Sequence, residues 1–155
     1  MMRRLLPALA LALLMTAPLS HASGWGLGTD VIRILDRNQD PDGLFNLFLQ
    51  VPAGYSGGLV LGYSSGERLN IAEVGYKHYP GSVMNGAFFQ AGAGWYDTDE
   101  DDEFGMVGKI GYEHRLARHF VVTGAVRAVV GVDEAIIGQP ETPVYQPMLG
   151  FMLAF

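Results

Sequence analysis

The chain has 155 residues, 49% of them hydrophobic, with ten basic residues against sixteen acidic ones and a formal charge of −6. That length suits one domain, and the acidic balance excludes nucleic acid as a partner, because phosphate binding needs clustered Lys and Arg. Cysteine is absent, which excludes disulfides, thiolate zinc sites and thiol chemistry.

Met1-Met2-Arg3-Arg4, the apolar run Leu5 to Met15 and the closing Ser20-His21-Ala22 read as the n-region, h-region and small-x-small site of a signal peptide. The run is about eleven residues, well short of the roughly twenty that a membrane-spanning helix needs. The expected organisation is a cleaved leader over 1–22 and one domain over 23–155. Losing Arg3 and Arg4 makes the mature chain more acidic still.

Eight segments of period-two character, rich in Val, Ile, Phe, Tyr and Gly and separated by turn signals, follow at 25–35, 44–51, 58–64, 69–78, 86–96, 104–114, 119–132 and 143–155. In the fifth, Ala87, Phe89, Ala91, Ala93 and Trp95 share one face and Gln90, Gly92 and Gly94 the other. The sixth sets Met106, Ile110 and Tyr112 against Lys109, Gly111 and Glu113. In the seventh, Phe120, Val122, Val126, Ala128 and Val130 oppose Thr123 and Arg127, and in the last Tyr145, Leu149, Phe151, Leu153 and Phe155 oppose Gln146, Gly150 and Ala154. One face is apolar and the other small or polar. Alternation alone does not separate a soluble sandwich from a transmembrane barrel, which turns its apolar face to lipid and its polar face inward.

Three features favour the barrel. The candidate inward positions carry both signs of charge, Glu73 and Glu113 beside Arg33, Lys77, Lys109 and Arg127, and such groups can pair across the narrow interior of eight strands. The connections alternate in chemistry. Those at 36–43, 65–68, 97–103 and 133–142 hold thirteen of the sixteen acids, and those at 52–57, 79–85 and 115–118 hold none; in an up-and-down barrel that gathers the acids at one end. Finally, Gly150, Leu153 and Phe155 in the closing run resemble the C-terminal targeting signal of bacterial outer-membrane barrels. Trp25, Tyr63, Tyr76, Tyr79, Trp95, Tyr96, Tyr112 and Tyr145, near segment ends, suit interfacial girdles.

With stretches such as Gly86-Ala87-Phe88-Phe89-Gln90-Ala91-Gly92-Ala93-Gly94-Trp95-Tyr96 and Gly108-Lys109-Ile110-Gly111-Tyr112-Glu113, the mature chain resembles the small eight-stranded outer-membrane barrels of the OmpA, OmpX and opacity-protein type. The resemblance is of pattern across the whole domain and selects no activity. It implies an all-β, eight-stranded antiparallel up-and-down transmembrane barrel in a Gram-negative outer membrane, with lipid and the barrel assembly machinery as partners. The first strand departs from the pattern: if Arg33 faces inward, strict alternation sends Asp30 to lipid, which calls for a later strand start or a bulge near Gly26 or Gly28.

Chemistry is sparse. Asp97-x-Asp99-x-Asp101 has oxygen-ligand spacing, but Asp102 and Gly108 stand where a calcium loop needs Gly and Glu; Asn38-x-Asp40-x-Asp42-Gly43 opens better and then meets Leu49 at its twelfth position. His78, His114 and His119, with Ser82, Glu113 and Thr123 as possible partners, lack a spacing that guarantees a nucleophile within reach of its base. No catalytic, cofactor-binding or metal residue is assigned. The expected function is a structural or surface-interaction barrel displaying acidic extracellular loops, not a wide solute pore. The alternatives are an outer-membrane lipid-modifying enzyme and a soluble periplasmic barrel binding a small apolar ligand.

Overall fold

A computed structural model describes residues 25–99, 101–133 and 143–155; the leader, Glu100, Glu134 and Glu141 lie outside the described residues. Strands β1 (Gly26–Asp30), β2 (Phe45–Pro52), β3 (Gly57–Ser65), β4 (Leu69–His78), β5 (Gly86–Thr98), β6 (Asp102–Ala117), β7 (Phe120–Val130) and β8 (Val144–Ala154) follow one another around a closed barrel, with one short helix, α1 (Val31–Leu35), after β1. Every neighbouring pair is antiparallel, and β1 meets β8 from Gly26 opposite Ala154 to Asp30 opposite Gly150. Closure pairs both edges of the sheet along the length of β1, the arrangement that keeps strand edges from recruiting another chain.

The period-two pattern works here because each residue step reverses the side chain's face. Strands two to eight fall where the alternation places them, and their apolar faces point outward. Ile110 and Met106 are 69% and 68% exposed, whereas Glu113 and Arg127 are 0% and 3% exposed. The sheet is therefore apolar outside and charged inside. The interior is layered. An apolar cluster of Leu44, Leu69, Ile71, Tyr96, Val129, Val132 and Val144 fills the end where the acidic connections emerge, and Met84, Val121, Met152 and Ala154 with Phe48 and Val83 fill the opposite end. Polar side chains occupy the space between.

The first strand is shorter than its sequence suggests. It stops at Asp30, whose side chain accepts hydrogen bonds from the backbone N–H groups of Ile32 and Arg33 and so caps α1. The helical turn replaces the expected strand positions 31–35 and resolves the parity conflict without a bulge: Asp30 and Arg33 both point inward and are buried. The chain returns through Gly43, at φ 77°, where a Cβ would collide with the Ile34 carbonyl oxygen, and the Leu44 N–H then bonds the Arg33 carbonyl at 3.1 Å. Only glycine fits that approach.

Two connections also differ from the expected limits. Residues 97–103 form mostly a continued hairpin, with Asp97 opposite Asp102 and a tight turn in which Thr98 Oγ1 donates to the Asp101 carbonyl at 2.8 Å. At the other end β6 continues to Ala117 past a register shift, so the expected turn 115–118 is largely strand.

Candidate functional site

Inside the barrel the sequence-derived inward charges come together in two networks. Arg33 and Lys109 both bind Glu73, at 2.9 Å each, and Arg127 binds Asp30 at 3.0 Å. Arg33 also donates to Ser64 Oγ at 2.9 Å and Arg127 to Gln146 Oε1 at 3.3 Å. Nearer the opposite end Lys77 Nζ lies 2.7 Å from Glu113, whose other oxygen accepts from the Tyr79 hydroxyl at 2.6 Å. Gln50 and Thr123 complete that set, and the Lys77 ammonium sits 4.5 Å from the Phe88 ring centroid. Charge buried this deeply survives only when paired and hydrogen-bonded. Glycine makes the room: a Cβ on Gly92 would stand 2.6 Å from the Gly75 Cα across the β4–β5 pair.

Asp30 and Tyr79 join these networks against expectation. Strict alternation back from an inward Arg33 would send Asp30 outward; α1 breaks that alternation, so both point inward. Tyr79 and Tyr96, read as girdle residues, are fully buried in the lumen, while Tyr63, Tyr76, Trp95, Tyr112 and Tyr145 are exposed on the outside. Tyr79 lies one residue beyond β4 and keeps the inward parity of Glu73 and Lys77, which is the signal that could have placed it facing Glu113. The small cavity between the networks has a volume of about 20 Å³ and is lined by residues of both.

The other candidates do not converge. His78, His114 and His119 lie at the end opposite the acidic connections, as expected. His78 packs on Phe89 with centroids 4.9 Å apart and meets Ser56 Oγ at 3.4 Å, while His119 Nδ1 bonds the Ala154 carbonyl at 2.8 Å. His114 and Ser82 are exposed. Glu113 and Thr123 do meet, at 3.3 Å, but inside the lumen and committed to Lys77 and Tyr79. Among the described residues no group of three or more His, Asp and Glu could hold a metal ion.

Asp40, the centre of the better calcium-like sequence, is a staple. Fully buried, its carboxylate accepts from the Arg68 N–H at 2.8 Å and the Asp42 N–H at 3.3 Å, tying the connection after α1 to the β3–β4 turn. Desolvation works against the ionised form, but the backbone N–H donors of Arg68, Asp42, Glu67 and Leu69 outweigh it and hold the carboxyl below its ordinary range. Beyond it a vestibule opens among the acidic connections, lined by Arg37, Arg68, Asp99, Asp101, Glu103 and Asp133 with neighbouring polar groups.

Fold and interior together define the class: a closed eight-stranded antiparallel barrel with a paired-charge interior and an apolar exterior. Comparison of the chain with protein-family models, with curated proteins and with solved structures gives no match.

Proposed function

We propose that this chain is an exported outer-membrane barrel with a structural or surface-interaction role, holding a rigid closed sheet in lipid and presenting an acidic rim to the outside. The observation that carries this reading is the inverted sheet. Apolar side chains from all eight strands stand in solvent-facing positions, whereas the charges at mid-barrel lie paired inside. In water such a surface would aggregate; in a bilayer it is the stable arrangement. Tyr63, Trp95 and Phe104 reinforce it. Through their registers with Ala72 and one another they form an exposed aromatic row across β3 to β6 near the acidic end, as an interfacial girdle would.

The proposed partners are outer-membrane lipid around the belt and the barrel assembly machinery at β8, whose Phe151 and Leu153 face outward with Phe155 exposed just beyond it. The apolar layers at both ends of a filled lumen argue against a solute pore and against a soluble barrel enclosing an apolar ligand. The scattered histidines give no support to a lipid-modifying centre.

Membrane fractionation followed by a gel of boiled and unboiled samples tests the reading. The protein is expected in the outer-membrane fraction and to shift in mobility on boiling, because closed barrels resist detergent unfolding. A protein that stays soluble without detergent and migrates identically either way would overturn it.

A further inference from the structure

We propose that the half of the lumen nearer the acidic end binds one small monovalent anion, of the chloride type, between Arg33 and Arg127. Two independent observations point there. The first is charge. The network of Asp30, Arg33, Glu73, Lys109 and Arg127 sets three cations against two carboxylates, leaving one buried positive charge without a counterpart. Asp30 ties the Arg127 guanidinium, at 3.0 Å, to the backbone of Arg33, whose N–H its other oxygen accepts at 3.4 Å, and both arginines line one cavity.

The second observation is hydrogen bonding. Among the described residues four buried side-chain atoms have no partner: Arg33 Nε, Arg127 Nε, Gln146 Nε2 and Tyr96 Oη. All four can donate, and each belongs to a residue at most 5% exposed. Three of them share one neighbourhood, for Gln146 is bonded to Arg127, and Arg33 and Arg127 line one cavity. Native interiors leave few such donors unpaired, and a bound ion or water is a common partner for those that remain. Both arginines line the water-sized cavity. Water would satisfy donors but leave the excess charge, whereas a halide answers both, accepting several N–H bonds while carrying the missing negative charge.

The test uses the purified, folded mature chain, in detergent where it requires it, with bromide as the probe and sodium gluconate as the reference salt at constant ionic strength. Gluconate is too large for the cavity. The folding equilibrium constant, read from urea midpoints, is expected to rise about tenfold per decade of bromide once the site is filled and to stay flat in gluconate. Crystals grown in bromide should show an anomalous peak beside Arg33 and Arg127. The variant Gln146→Glu removes one orphan donor and supplies the missing charge in place, so it should fold with the bromide dependence and the peak both lost. Equal stability of the parent protein in the two salts, with an ordered water and no anomalous signal at the arginines, would overturn the proposal. This outcome is separate from the membrane reading, since the lumen is the same in either setting.

Discussion

Lys77 and Glu113 show what a single buried pair does in this interior. Their contact is 2.7 Å and the carboxylate is fully buried, so Glu113→Gln leaves the ammonium unpaired and should destabilise the barrel by about 3–5 kcal/mol. Adding Lys77→Met should recover much of that loss, because the orphaned charge disappears with it; urea midpoints of the two variants check this. Asp40 predicts a pH dependence of known sign. Its folded carboxyl titrates below the ordinary value of 3.8, so its contribution is full above that value and is lost as pH falls through the lower, folded one. The difference in melting temperature between the parent protein and Asp40→Asn should therefore be constant near neutrality and shrink below about pH 4. A difference unchanged down to pH 2 would show that the staple does not depend on ionisation. Parity on the strands made Glu73, Glu113, Lys77, Lys109 and Arg127 legible as lumen residues from sequence. It also holds at Tyr79, inward like Lys77 although its ring suited a girdle, and it breaks only after Asp30, where α1 takes over from the strand.

Among the elements, α1 was the one the sequence concealed. Val31-Ile32-Arg33-Ile34-Leu35 is rich in β-branched residues and reads as the continuation of β1; the opposing signals were the parity conflict between Asp30 and Arg33 and the cap that Asp30 supplies. Tertiary contacts decide the matter, since the turn lets Arg33 reach Glu73 and Ser64. The return through Gly43 makes a second prediction at this scale. Gly43→Ala combines a positive φ with a backbone clash against Ile34 and should cost more than the roughly 1–2 kcal/mol of a left-handed alanine alone. Gly54→Ala, at φ 79° with nothing within 4 Å, should cost only that amount. Equal losses in denaturant titrations would mean the α1 return relaxes freely. The other strands were legible because each carries one apolar and one small or polar face. Their extensions at 97–103 and 115–118 were not, because charged residues on paired hairpin ends look like loop residues until pairing is seen.

For the molecule as a whole, the ends differ in charge. Asp36, Asp42, Glu67, Asp99 and Asp101 gather where β1 ends, and Arg115 and Arg118 lie at the opposite end with no carboxylate in the connections at 53–56, 79–85 and 118–119. Under the proposed export, the chain ends stay on the periplasmic side and the acidic end faces outward. The chain has no cysteine, so single cysteines at Asp101 and Ala117, both exposed, report the orientation. An impermeant maleimide on intact cells should label position 101 and spare 117. The reverse pattern would invert the topology.

The seam between β1 and β8 also decides how the barrel gives way under load. Trp25 and Phe155 are adjacent, joined by a 2.9 Å bond from the Phe155 N–H to the Trp25 carbonyl, and the rungs run inward from there to Asp30 opposite Gly150. Tension applied between the two chain ends therefore opens the seam as a zipper, one rung at a time, instead of shearing all rungs together. The zipper meets its stop at Asp30, where Arg127 holds the far end of the shortest strand from 97 residues away in the chain. In single-molecule pulling, early extension at low force should end in a distinct final step, and Asp30→Asn should lower that step alone.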